Sequence, residues 1–154
     1  MKQKMIAFMS FVFGLILFSN CSRPDTAAKE ENSYVSVVAD NLEDYPVRVL
    51  SFHTSNRCQT CLTIEKIVRE TVLTEYKEQV EDGTLKLYVM NVEQAENQKI
   101  AEEYVAYGSA LFVSSGVGEL TEISDLTNNA FMYAGTNADK FIEILRSTLN
   151  QHLE

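Results

Sequence analysis

The spacing of apolar and polar residues predicts a strand, a long helix and a second strand in the middle of the chain. The apolar run from Val47 to Phe52 has the length and β-branched content of a buried strand. Farther along, apolar residues recur at helical spacing from Ile64 to Val80, and charged residues lie largely off that stripe. Gly83 predicts the end of this helix, and segment 84–92 (TLKLYVMNV) is typical of a strand.

The next part of the chain predicts a helix, a strand and a turn. Segment 97–106 carries its apolar positions on one side, which indicates a helix. Segment 109–114 (SALFVS) is short and apolar and predicts a strand. Gly116 and Gly118 then predict a turn.

The last segments predict a pair of strands and a helix. We expect antiparallel strands over 119–123 and 131–133, and a helix over 138–149 with Asn137 as its N-cap. The aliphatic and aromatic stripes of these elements are typical of a protein core. The order of strands and helices predicts one α/β domain covering 34–154.

The N-terminal residues have the pattern of an export signal. Lys2 and Lys4 precede an apolar stretch from Met5 to Phe18, which is short for a membrane-spanning helix. Cys21 at the end of segment 1–21 resembles the lipidated cysteine of bacterial lipoproteins. We therefore expect an exported lipoprotein, anchored to the membrane through Cys21 and facing the periplasm of a Gram-negative bacterium. An ordinary cleaved signal or an uncleaved N-terminal anchor are the alternatives.

Composition indicates a tether after the export signal and excludes one class of partner. Segment 22–33 (SRPDTAAKEENS) is polar and predicts a flexible tether between membrane and domain. The chain has 22 acidic residues against 13 Lys and Arg, a formal net charge of −9. Nucleic acid is therefore excluded as an expected partner, because its phosphates attract basic surfaces.

The candidate chemistry lies in the sequence Cys58-Gln59-Thr60-Cys61, at the junction of the first strand and the long helix. The N–H groups and dipole at a helix start favour thiolate over thiol, and Arg57 adds a positive charge. A disulfide between cysteines this close closes only a tiny loop and stabilises little through chain entropy. The pair therefore indicates redox or ion-binding chemistry, and no bound cofactor is expected.

Three interpretations of the pair remain open. In the redox interpretation, Cys58 is the attacking thiolate and Cys61 the resolving thiol. In the second, the same two thiolates bind a soft ion such as Cu(I) or trivalent arsenic. In the third, the domain is a redox-inactive interaction module. His53 is a candidate base or ligand, or a histidine satisfied at the strand end, and His152 has no predicted role.

These motifs resemble the thioredoxin-like superfamily, and most closely the exported ArsF family of nitrophenyl compound nitroreductase subunits. The residues that carry the resemblance are Phe52-His53, Arg57-Cys58, Thr60-Cys61, Ile64-Glu65, Asn91-Val92-Glu93 and Glu96-Asn97. The resemblance implies a three-layer α/β/α fold with a central mixed sheet. It also implies a thiol-disulfide oxidoreductase or electron-transfer subunit that serves a dedicated redox partner protein in nitroaromatic or arsenical reduction.

Two positions depart from ordinary thioredoxins. Those proteins place a cis-proline opposite the first cysteine, whereas the corresponding stretch here is Tyr107-Gly108-Ser109-Ala110. They also carry a buried acid six residues before the first cysteine, where this chain has Phe52. We therefore expect a poor general reductase of protein disulfides.

Overall fold

The computed structural model describes residues 35–38, 42–116 and 121–154. The expected signal at 1–21, including Cys21, and the expected tether at 22–33 lie outside these residues. Within the described ranges, no helix is both long enough and apolar enough to cross a membrane.

A mixed sheet forms the centre of the described domain. Its five strands are β1 (Val35–Ser36), β2 (Val47–His53), β3 (Leu85–Asn91), β4 (Ala110–Ser115) and β5 (Glu122–Asp125). They lie side by side in the order β1-β3-β2-β4-β5. Strand β3 runs parallel to β1 and β2, whereas β4 runs antiparallel to β2 and β5.

Helices cover both faces of this sheet. They are α1 (Gln59–Glu75), α2 (Lys77–Glu81), α3 (Gln98–Glu103), α4 (Thr127–Tyr133) and α5 (Ala138–Leu153), with 3-10 turns at Leu42–Asp44 and Ala95–Asn97. The predicted thioredoxin-like class, a three-layer α/β/α arrangement around a mixed sheet, is confirmed.

The alternation of side chains along β2 supplies both layers of the core. Val47 and Val49 belong to a cluster with residues of α1, α2, α4 and α5, whereas Leu50 and Phe52 belong to a cluster with residues of α3. Successive side chains of a strand point to opposite faces of its sheet. Because both faces of β2 are covered, its end at His53 is fixed in space, and the cysteine pair follows directly.

The strand predicted over 131–133 is wrong, since these residues belong to helix α4. Leu126, Ala130 and Ala134 are buried four residues apart, a spacing that puts them on one face of a helix. Phe131 and Met132, whose apolar character suggested a strand, are 41% and 60% exposed. The small alanines carry the packing here, and the larger residues face outward.

Two predicted helices also have different bounds in the structure. The helix expected to reach Val80 is broken at Tyr76, whose hydroxyl donates to Asn150 Oδ1 on α5 at 2.9 Å. Helix α3 is shorter than predicted because Val105 takes a left-handed conformation, with φ of 54°. The N–H of Ala106 then donates to the carbonyl of Ala101 at 2.7 Å, which closes the helix end.

His152 connects the last helix to the sheet. Its Nδ1 lies 2.7 Å from Ser115 Oγ on β4, and its Nε2 lies 2.8 Å from Ser124 Oγ on β5. Burial lowers the pKa of His152, the charge of Arg48 lowers it further, and Glu122 opposes this effect. The neutral ring is therefore the form that the fold favours.

We expect the fold to lose stability as His152 becomes protonated. Its pKa in the folded protein lies below the unfolded value of about 6.5. The contribution of the neutral ring to the free energy of unfolding is therefore complete above that pH, and it is lost as the pH falls through the folded pKa. Urea unfolding at about pH 7.5 and about pH 5.5 would measure the loss. The non-titrating variant His152→Gln should lose less stability over this interval, and equal losses in the two proteins would contradict the assignment.

Candidate active site

Cys58 is the N-cap of helix α1. Its backbone is extended, with φ of −77° and ψ of 162°, and its sulfur accepts the N–H of Cys61 at 3.2 Å. Both cysteines are free, and Cys58 is exposed whereas Cys61 is half-buried. The structure therefore places the pair at the helix start, as predicted, with the first sulfur outermost.

Cys61 faces a small crevice behind Cys58. The crevice is lined by residues of β2, α1, α4 and the start of β4, among them His53, Arg57, Cys61, Ser109 and Phe131. Ser109 Oγ donates to Cys61 Sγ at 3.5 Å. Burial alone would raise the pKa of the Cys61 thiol, but hydrogen bonds from Cys58, from Ser109 and from the local backbone outweigh it and lower the pKa.

The loop before Cys58 is held by residues that follow β3. Asn91 Nδ2 donates to Ser55 Oγ at 3.0 Å, and the N–H of Ser55 donates to Glu93 Oε2 at 2.9 Å. Asn97 is fully buried, and its Nδ2 donates to the carbonyl of Asn91 at 3.2 Å. Asn91, Glu93 and Asn97 belong to sequence motifs named above. They therefore act together to support the loop that presents the cysteines.

Arg57 forms an ion pair with Glu65, and the same carboxylate accepts Arg69 Nε at 2.7 Å. Burial would raise the pKa of Glu65, but the hydrogen bonds and charges of both arginines outweigh it and lower the pKa. Since two cations share one anion, this cluster keeps a net positive charge beside the pair. Arg57 Nε is buried without a hydrogen-bond partner among the described residues.

Sequence reasoning missed the role of Glu65. The spacing of Glu65 and Arg69, four residues apart on one helix, was a visible signal for one of its two ion pairs. Arg57 lies before the helix cap, and no helical spacing relates it to Glu65. Only the folded loop brings these two side chains together.

His53 lies at the end of β2 and lines the crevice. Its Nδ1 is 3.0 Å from the carbonyl oxygen of Thr54, so Nδ1 carries a proton, because a carbonyl only accepts. This leaves Nε2 as the acceptor of the neutral ring. Within 35–38, 42–116 and 121–154, no three His, Cys, Asp or Glu residues are grouped as metal ligands. His53 therefore does not complete a three-ligand site with the pair.

The two departures from ordinary thioredoxins have clear structural positions. Phe52 is 2% exposed and packs against Tyr104 and Phe112, with ring centroids about 6 Å apart in both cases. It therefore supplies packing where an acid would supply a proton. Ala110 begins β4 opposite Phe52, so the preceding Ser109 occupies the position beside the cysteines.

Removal of the carboxylate at Glu65 should destabilise the protein, because it leaves two partly buried arginines without their anion. We expect Glu65→Gln to lower the free energy of unfolding by about 1–2 kcal/mol, between the values typical of exposed and of buried pairs. Glu70→Gln is the matched control, since Glu70 is 64% exposed on the same helix and pairs with Lys66. Denaturant unfolding of both variants measures the difference, and equal effects would contradict the shared-carboxylate assignment.

Comparison with models of protein families finds no match for this chain, and no curated protein is significantly similar to it in sequence. What the site does is therefore inferred from its own chemistry.

Proposed function

We propose that the domain is a thiol-disulfide redox protein that works through Cys58 and Cys61. The observation that carries this proposal is the geometry of the pair: the outer sulfur caps a helix, and the inner sulfur lies behind it in a crevice. The N-cap position places Cys58 Sγ at the free N–H groups of the helix start, where it accepts the N–H of Cys61. Arg57, paired with Glu65, lines the same crevice as Cys61.

The proposed reaction is an exchange with a disulfide of a partner protein. The Cys58 thiolate attacks one partner sulfur, which forms a mixed disulfide and releases the other sulfur as a thiolate. The Cys61 thiolate then attacks Cys58 Sγ, forms the Cys58–Cys61 disulfide and releases the second partner thiolate. The partner disulfide is reduced by two electrons, and the pair is oxidised by two.

A protein partner fits the surroundings of the pair. Leu62 beside Cys61 is 44% exposed, Tyr107 near Ser109 is 81% exposed, and Phe131 at the crevice is 41% exposed. Exposed aromatic and aliphatic side chains are common in protein interfaces. On the resemblance to the ArsF family, we propose that this dedicated partner belongs to a system that reduces nitroaromatic or arsenical compounds.

The two cysteines should behave differently in a trapping experiment. After reaction with a disulfide reagent, Cys61→Ser should accumulate a mixed disulfide at Cys58, because the resolving sulfur is missing. Cys58→Ser should accumulate far less, because Cys61 is half-buried. Mass spectrometry of the non-reduced proteins measures both products. Equal trapping by the two variants would contradict the assigned order.

A second measurement separates the redox proposal from ion binding. The wild-type pair should oxidise and reduce reversibly in glutathione buffers, and should reduce insulin more slowly than an ordinary thioredoxin because Phe52 and Ser109 replace the acid and the proline. Insulin turnover equal to that of a thioredoxin would contradict the dedicated-partner proposal. A protein that holds stoichiometric copper or arsenic and shows no exchange would favour the ion-binding function.

We also propose that the domain is exported and tethered to the membrane through Cys21, on the pattern of residues 1–21. Cys21→Ser should move the protein from the membrane fraction to the soluble fraction or block its processing, because the lipid attachment site is lost. Cys58→Ser is the matched control and should stay with the membrane. Unchanged fractionation and unchanged mass of the Cys21 variant would contradict lipidation.

A further inference from the structure

We propose that Ser109 is the third catalytic residue of the pair: its hydroxyl donates to Cys61 Sγ and stabilises the thiolate that resolves the mixed disulfide. The inference rests on the proposed redox function. Its geometric basis is the Oγ to Sγ distance of 3.5 Å across the crevice. A hydroxyl is a hydrogen-bond donor that a proline at this position would not offer.

The need for this donor arises at one step of the exchange. In the free protein, Ser109 Oγ donates to Cys61 Sγ, whereas Cys58 Sγ accepts the backbone N–H of Cys61. Cys58 has no S–H to donate when it reacts as a thiolate, nor after it is joined to a partner sulfur. Ser109 is then the side-chain donor that remains on Cys61 when this half-buried sulfur must carry a negative charge.

Among the described residues that line the crevice, none is an acid that could replace the hydroxyl. Phe52, at the position where thioredoxins carry their acid, is buried in an aromatic cluster with Tyr104 and Phe112. Glu65 is held as a carboxylate by two arginines, and a carboxylate accepts but does not donate. The serine hydroxyl therefore stabilises the negative charge on Cys61 by a hydrogen bond, in place of a proton from an acid.

The surrounding structure fixes Ser109 in place. The next residue, Ala110, is paired with Phe52 in the sheet, and the N–H of Leu111 donates to Thr127 Oγ1 at 3.1 Å. The hydroxyl is thus presented from the rigid end of a central strand, and a donor held in this way loses little entropy when the thiolate forms.

The chemical step balances without proton transfer from the serine. The Cys61 thiolate attacks Cys58 Sγ, the Cys58–Cys61 bond forms, and the bond from Cys58 to the partner breaks. The electron pair leaves on the partner sulfur, which takes a proton from water. Ser109 keeps its own proton throughout and acts only by stabilising negative charge on Cys61 before the attack.

The test follows the two phases of the reaction of reduced protein with 5,5′-dithiobis(2-nitrobenzoate). The first nitrothiobenzoate released reports attack by Cys58, and the second reports resolution by Cys61. Ser109→Ala should leave the first phase unchanged and raise the pKa of Cys61, because the thiolate loses a hydrogen bond. Alkylation in a Cys58→Ser background measures this pKa. The thiolate fraction of Cys61 then falls by more than its nucleophilicity rises, so the second phase should slow about threefold at a pH below the Cys61 pKa.

A pair of nearly isosteric variants separates the hydroxyl from packing. Ser109→Thr keeps the hydroxyl and should retain the wild-type second phase, whereas Ser109→Val should slow it as Ser109→Ala does. Ser147→Ala, at an exposed serine on α5, is the control and should change neither phase. The slowing should disappear at a pH above the Cys61 pKa, and a purely structural effect would persist there.

The outcomes distinguish this inference from the proposed function. If wild-type protein releases only one nitrothiobenzoate and forms no Cys58–Cys61 disulfide, the redox function itself fails. If wild-type protein shows both phases while Ser109→Val and Ser109→Thr resolve at the same rate, the role of Ser109 is overturned and the redox function stands.

Discussion

Strand β2 imposes the constraint on which the rest of the structure depends, because it is paired on both edges and covered on both faces. Its backbone groups are satisfied by β3 and β4, and its side chains supply both cores. Shifting it by one residue would move each buried side chain to the opposite core. The place where β2 ends is therefore fixed, and so is the start of the helix that Cys58 caps.

Polar contacts connect the cysteine pair, which follows β2, to the ends of the two neighbouring strands. Asn91 and Glu93, just after β3, hold the loop, and Ser109, just before β4, reaches Cys61 from the other neighbouring strand. The end of one central strand and the adjoining ends of its two neighbours thus meet around two sulfurs. Because Cys58 is exposed, its sulfur is reached from solvent without a deep pocket.

Much of this arrangement was predictable from sequence, and each exception has an identifiable physical cause. The apolar run of β2 and the stripe of α1 are local patterns, so the strand, the helix and the position of Cys58 between them were predicted correctly. Ser109 is separated from Cys61 by 48 positions, and no local pattern links them. Segment 131–133 was misassigned because Phe131 and Met132 are apolar yet exposed, while Ala130 and Ala134 carry the packing.

The left-handed Val105 has a consequence for motion. A β-branched residue in this region of backbone space is held against its preference, at a cost of about 1–2 kcal/mol. The turn between α3 and Gly108 therefore relaxes some strain whenever it opens, and its amides should exchange with solvent at a lower opening free energy than those of β2. This edge of the site is thus able to adapt its shape, while the cysteines remain on a rigid support.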